Sequence, residues 1–128
     1  MSPKKILVTG GFGYVGSRLT PHLLELGHQV RVLDLMLYTH SVLESLKKHH
    51  SFNQWQNRFD LVEGDIRNPE TVRQAIQGMD TVIHLAAISN DPTGDIDEVL
   101  TRQCNFKEIE MIISMAKDSG VGRFINAS

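Results

Sequence analysis

The chain has 128 residues, 41% hydrophobic and 22% charged, with a net charge of -2. That is one domain's length with enough apolar content for its own core, and it excludes a disordered, collagen-like or repeat-array chain. Near-neutral charge gives no field for nucleic acid or anionic lipid, no apolar run approaches a membrane span, no signal peptide opens the chain, and the single Cys104 excludes a disulfide framework and fits a reducing, cytoplasmic setting.

Residues 4–9 form a short apolar run that reads as a buried strand. Residues 10–16 are glycine-rich. Helical spacing follows over 14–26, where Val15, Leu19, Leu23 and Leu26 recur at about one helical period, with Pro21 as a slight bend and Gly27 as the stop. Residues 29–33 make a second strand, closed by Asp34. Over 36–58 the pattern gives one short helix, 42–48, and loop elsewhere. Residues 59–63 make a third strand, closed by Gly64 and Asp65, and Pro69 then opens a short helix to Ile76 in the N1 role. A fourth strand is expected at 81–85, a loop at 86–95, a long helix at 96–117 stopped by Gly120, and a fifth strand at 123–126. Strands alternating with helices predict a doubly wound, parallel α/β sheet of at least five strands, all within one unit spanning 1–128. The sequence ends just past the fifth strand, with no helix to cover the sheet. We therefore expect a longer parent protein.

Gly10, Gly13 and Gly16 form G-x-x-G-x-x-G between the first strand and the first helix. Gly10 permits a tight turn, Gly13 lets a pyrophosphate approach the backbone, and Gly16 lets the helix pack closely on the strands. Backbone N–H groups at the helix start then face the phosphates. Gly11 reads as a mere neighbour. Asp34 follows Gly16 by 18 positions, close to the ~20 expected of an acid that accepts from the adenosine ribose hydroxyls. A carboxylate there repels a 2′-phosphate, and Leu35, Met36 and Leu37 offer it no arginine, so the implied cofactor is NAD and the fold is Rossmann-type.

Asp65 and Ile66 follow the third strand, where an adenine would lie: the acid accepts from the adenine amino group and Ile66 packs on the ring. The competing reading of Asp65 is an Asx-turn before Asn68 and Pro69. Leu85, Ala86 and Ala87 are small or apolar at the fourth strand's end, letting a cofactor cross the carboxyl edge of the sheet. His84 reads as a satisfied core histidine. Asn105 shares a helical stripe with Ile109, Ile112 and Ala116, the stripe expected to face the sheet, where its amide needs backbone partners. A second stripe holds Leu100, Cys104, Met111 and Met115. Its cover is either a second copy of the 96–117 helix in a homodimer or a neighbour from the same chain, and Cys104 on it reads as a small core hydrophobe. His22, His28, His40, His49 and His50 lack the i, i+4 spacing with an acid on one face, so no metal site is expected.

The run VTGGFGYVGSRL, Asp34, GDI at 64–66, VIHLAA at 82–87, Asn105 and RFINAS at 123–128 together resemble the extended short-chain dehydrogenase/reductase family, above all its NAD-dependent nucleotide-sugar epimerases and dehydratases. The resemblance implies that Gly10, Gly13 and Gly16 hold the pyrophosphate, with Phe12, Tyr14 and Val15 filling the loop. It implies that Asp34 holds the ribose, that Asp65 and Ile66 frame the adenine, and that Leu85, Ala86 and Ala87 line the path to the nicotinamide. Asn105 matches a structural asparagine, and Ala127 and Ser128 lie beside the nicotinamide half. It also implies catalysis by a Ser or Thr after the fifth strand and a Tyr-x-x-x-Lys further on, with a transient hydride transfer to NAD. Ser128 falls one place before that Ser/Thr, and Tyr14 and Tyr38 are in the wrong places, so no catalytic residue is expected within this chain. The parent is then an enzyme acting on a nucleotide sugar. The alternatives are a non-catalytic dinucleotide-binding sensor or interaction module, and a reductase of the same family acting on a hydroxysteroid or ketone.

Overall fold

The computed structural model describes residues 3–11, 15–35, 40–85 and 98–126, the side chains of 40–42 and 98–106 excepted. Five strands, β1 (Lys5–Thr9), β2 (Gln29–Asp34), β3 (Phe59–Glu63), β4 (Thr81–His84) and β5 (Arg123–Asn126), form one sheet in the order β3-β2-β1-β4-β5. All four pairings are parallel. The helices are α1 (Gly16–Glu25), α2 (His40–Lys47), α3 (Phe52–Trp55) followed by a 3₁₀ turn (Gln56–Arg58), α4 (Pro69–Ile76) and α5 (Glu98–Asp118). The strand order reverses between β1 and β4. In such sheets the crevice beyond the strands' carboxyl ends at that switch is where ligands bind.

Alternation along the central strands builds a core on each face. Ile6 and Val8 of β1 join Val30, Val32, Leu23, Leu24, Leu46 and Trp55 on one side. Leu7 joins Leu33, Val82, Val72, Ile76, Ile112 and Ala116 on the other. Because both faces are covered, β1 is almost continuously apolar, as parallel strands are. The edge strands β3 and β5 are correspondingly less buried.

The stop signals act as expected. Gly27 and Gly120 take φ of 97° and 80°, the left-handed conformation that ends a helix at little strain only for glycine. Asn68 caps α4, its side chain accepting from Glu70 N at 3.0 Å, with Pro69 just inside. Several boundaries shift by one or two residues: α1 is Gly16–Glu25 rather than 14–26, α2 is His40–Lys47 rather than 42–48, α5 is Glu98–Asp118 rather than 96–117, and β4 ends at His84, although Leu85 N still donates to Thr9 O at 3.0 Å. The segment at 52–58, expected as loop, is instead α3 and the 3₁₀ turn. Its elements are too short to show a period, and they are held by Trp55, which is 1% exposed in the first core. Among the described residues no helix is long and apolar enough to cross a membrane.

Arg31 of β2 ties the sheet to α4. Its guanidinium donates to Ala75 O at 2.8 Å and Gln77 O at 3.1 Å, and to Asp60 Oδ2 of β3 at 3.0 Å. A cation at the helix C-terminus satisfies terminal carbonyls and complements the helix dipole. Replacing Arg31 with Ala should lower stability by about 1–2 kcal/mol, read from urea unfolding; a loss below a few tenths would show the contact to be idle.

Candidate functional site

The site is built from the carboxyl ends of β1, β2, β3 and β4. Gly10 closes β1 at φ 70°, and its N–H donates to Leu33 O of β2 at 2.8 Å. A Cβ on Gly16 would lie 2.5 Å from Gly10 O and 2.6 Å from Gly11 Cα. The start of α1 therefore touches the turn backbone-to-backbone, an approach that only glycine permits. Gly10 thus makes the tight turn and Gly16 the close backbone approach. Gly11 was underrated by the sequence: its Cβ would meet Val32 Cγ1 at 2.6 Å, and its carbonyl accepts from Thr20 Oγ1 at 3.2 Å. The only signal was its adjacency to Gly10, which says nothing about β2. No side chain caps α1 at Val15, and its first turn has no acidic residue, leaving the positive end of its dipole to an anion. Val15 itself is 57% exposed. Phe12, Gly13, Tyr14, Ala86, Ala87, Ala127, Ser128 and the loop expected at 86–95 lie outside the described residues, as does the side chain of Asn105.

The neighbouring strand ends are pinned to one another. Thr9 Oγ1 lies 2.7 Å from His84 Nδ1, and Leu85 N also donates to it at 3.2 Å. Thr9 and His84 are buried, and burial lowers the histidine's pKa, so the ring is held neutral. His84 is thus a satisfied core group between β1 and Phe124 of β5. Asp34 ends β2, half-buried, and its carbonyl accepts from Gly64 N at 3.0 Å. That bond carries the end of β2 onto the turn that holds Asp65.

In that turn Asp65 makes the Asx-turn weighed above. Its Oδ1 accepts from Arg67 N at 2.8 Å, and the Arg67 guanidinium grips both carboxylate oxygens, with Nη2 2.6 Å from Oδ2. The hydrogen bonds from Arg67 hold the Asp65 pKa below the ordinary carboxylate range. Ile66 is 7% exposed and packs into the second core with Val72, Ala75 and Ile112, so it supports the turn from beneath.

On α5, Ile112 and Ala116 are buried against the sheet as expected, and Ile109 is half-buried. Met111 and Met115 of the second stripe pack on the same core, beside α4. Both remain partly exposed. Glu108, three positions after Asn105 and four before Ile112, was not singled out from the sequence, although an acid on an apolar stripe is a signal. It is 6% exposed, and neither of its carboxylate oxygens has a hydrogen-bond partner. Burial pushes its pKa up, while the charge of Arg67 pulls it down and that of Asp65 pushes it up.

One further cluster emerges only in three dimensions. Glu25, His49 and His50 offer ligand atoms within 4.8 Å of one another. Spacing along the chain concealed this, because the acid comes from α1. His49 Nδ1 accepts from Ser51 N at 3.1 Å, so that nitrogen's lone pair is engaged within the connection. A hydrogen bond from Ser51 lowers the Glu25 pKa. We read the group as a clasp between the end of α1 and the α2–α3 connection.

The chain belongs to the NAD dependent epimerase/dehydratase family, whose model matches residues 6–128. It is 34% identical over 125 residues to a 3-beta-hydroxysteroid dehydrogenase of Mycolicibacterium neoaurum, covering 94% of this chain and 31% of that protein. The fold superposes on an epimerase of Methanothermobacter thermautotrophicus with a TM-score of 0.79 and 28% identity, covering 99% of this chain and 35% of that one. A UDP-glucose-4-epimerase of Stenotrophomonas maltophila, solved with NAD and a formylated UDP-arabinopyranose, gives 0.77 and 25%, covering 98% and 37%. The chain spans about a third of the length of the curated relatives it matches.

Two outcomes test this geometry. Gly11→Ala should destabilise the protein by about 1–3 kcal/mol through the clash with Val32, read as a lowered Tm; an unchanged Tm would show that the turn shifts freely. Arg67→Ala should return the Asp65 titration upward, followed by carboxyl ¹³C NMR. Because the folded pKa is depressed, the pair's stabilisation is present at neutral pH and fades as pH falls through the folded value. An Asp65 titration that does not move would deny Arg67 its role.

Proposed function

We propose that this chain is the NAD-binding part of a nucleotide-sugar epimerase or dehydratase. The observation that carries the reading is the backbone contact between α1 and the Gly10–Gly11 turn at the β1–β4 switch, with Asp34 ending the adjacent strand. The residues fit the cofactor: side chains are excluded at Gly11 and Gly16, where a Cβ would collide with the fold. Gly10, Gly13 and Gly16 with Phe12, Tyr14 and Val15 form the phosphate turn, Asp34 accepts from the adenosine ribose, and Asp65 and Ile66 frame the adenine. Leu85, Ala86 and Ala87 line the way to the nicotinamide half, beside Ala127 and Ser128, and Asn105 supports the strand ends. NAD, when bound, supplies transient hydride acceptance and return. The chain's own residues bind and orient; neither Tyr14 nor Tyr38 is followed by a lysine four positions on, so these 128 residues carry no Tyr-x-x-x-Lys and should not turn over substrate alone. A reducing, cytoplasmic setting suits the single cysteine.

A second reading, a reductase acting on hydroxysteroids, is favoured by the 34% identity to the steroid dehydrogenase. The full-length protein assayed with NAD against a panel of nucleotide sugars and against 3β-hydroxysteroids separates the two. Turnover of a nucleotide sugar supports the first, and turnover of steroids alone replaces it with the second. Inactivity on both, with NAD still bound, favours a non-catalytic module. Asp34→Ala should weaken NAD binding several-fold and relax discrimination against NADP by calorimetry; an unchanged affinity would remove the ribose role.

A further inference from the structure

We propose that Glu25, His49 and His50 bind a divalent transition-metal cation of the zinc class, which closes the clasp between the end of α1 and the α2–α3 connection. The site is separate from the crevice at the glycine turn and does not depend on the cofactor reading. The first support is the donor set. Two imidazoles and one carboxylate offer ligand atoms that all lie within 4.8 Å of one another. Imidazole nitrogen suits Zn²⁺, Ni²⁺ and Cu²⁺, whereas Mg²⁺ and Ca²⁺ need more oxygen donors than one carboxylate supplies. Tetrahedral ligands on one zinc ion stand about 3.4 Å apart, given bonds of about 2.0–2.1 Å. Small side-chain rotations close that difference, since Glu25 and His50 are exposed and His49 is half-buried. Three protein ligands leave the fourth tetrahedral position to water.

The second support is how the three side chains are already held. The His49 and His50 rings are stacked, with centroids 4.3 Å apart and planes 25° apart, so two nitrogen donors are gathered before an ion arrives. His49 also rests on the ring of Trp55, at 4.8 Å. The Ser51 side chain hydrogen-bonds the Glu25 carboxylate and keeps it ionised. The indole N–H of Trp55, 1% exposed and with no hydrogen-bond partner, lies close enough to favour the same ionised form. Metal-binding carboxylates and imidazoles are characteristically fixed by such outer partners. Coordination costs one bond: through either nitrogen, His49 gives up the Nδ1 lone pair that accepts from Ser51 N at 3.1 Å.

The third support is topology. Parallel crossovers send α1 and α2 back from the sheet's carboxyl edge, so Glu25 at the end of α1 and His49 just past α2 meet at the opposite, amino edge. The final turns of two helices point carbonyls and negative dipole ends toward that edge, a setting that favours a cation. Arg58 Nη2 already takes one of these carbonyls, Leu24 O, at 3.0 Å, and Lys47 and Lys48 are exposed nearby. Their charges oppose a further cation, so the expected affinity is of micromolar order.

The test is calorimetric titration of the full-length, chelator-treated protein with ZnCl₂ at about pH 7.5, where imidazoles are neutral. One equivalent should bind with micromolar affinity, and it should be lost at about pH 5, where imidazoles are protonated. MgCl₂ should give no such binding. Glu25→Gln and His50→Ala should each weaken the site by about tenfold or more, and the double variant should bind one equivalent fewer than the wild type, with an unchanged circular dichroism spectrum. Saturating zinc should raise the wild-type Tm by about 2–4 °C and leave that of the double variant where it is. A wild type that takes up no zinc even at millimolar concentration overturns the assignment. So does a double variant that binds zinc with the wild-type affinity and stoichiometry, because the ion then sits elsewhere. NAD affinity should be the same with and without zinc; a loss of NAD binding in the absence of zinc would overturn the separation of the two sites.

Discussion

Everything at the sheet's carboxyl edge depends on how closely three backbone segments approach one another at the first turn. Gly10 bends the chain through a left-handed φ, Gly11 lies flat against Val32 of β2, and Gly16 brings α1 onto the carbonyl of Gly10. Each position lacks a side chain for a different physical reason: conformation, packing against a side chain, and packing against backbone. If α1 were pushed outward by one methyl group, its N-terminus would leave the line of the switch crevice, and the dipole and N–H groups it offers would no longer converge there. The contact thus sets both a packing constraint and an electrostatic direction.

A second layer of bonds keeps the strand ends level. Gly10 N to Leu33 O joins β1 to β2, Asp34 O to Gly64 N joins β2 to the turn after β3, and Thr9 joins β1 to His84 and Leu85 of β4. These are bonds between neighbours in the sheet, formed just where the ladders stop, and they extend the rigidity of the core into the rim. A rim fixed in this way holds polar groups at constant separations, which a dinucleotide lying across several strands requires. The buried His84 belongs to this layer.

The sequence carried most of this fold because its signals were local. Glycine caps, Asn68 before Pro69, and apolar runs of strand length each report a backbone state within a few residues, and Gly10, Gly16 and Asp34 belong to one short motif. What escaped it was non-local. Gly11 matters because of Val32, about twenty positions away in the chain, and nothing near Gly11 announces that. Residues 52–58 are helical because Trp55 is buried under the first core, a tertiary cause with no period to read. Glu25 meets His49 only after α2 has folded back. Asp65 was legible in two roles, and its Asx-turn became visible only once the Arg67 side chain was placed in three dimensions. Glu108 was passed over because its stripe was read by its apolar members alone.

The distribution of charge explains how a chain of net charge -2 can suit a ligand that is itself anionic. This chain's net charge offers no general attraction, so in the proposed reading the phosphates are met by local dipoles at the start of α1, which has no side-chain cap and no acid in its first turn. The acids of the rim stand elsewhere. Asp34 ends the strand next to the glycine turn, and Asp65 is paired with Arg67. Carboxylates are poor neighbours for a diphosphate but good acceptors for hydroxyl and amino groups. In the proposed NAD-binding reading, the backbone dipoles at the start of α1 take the diphosphate and the carboxyl groups at the neighbouring strand ends take hydroxyl and amino groups, which sets the direction in which the dinucleotide lies.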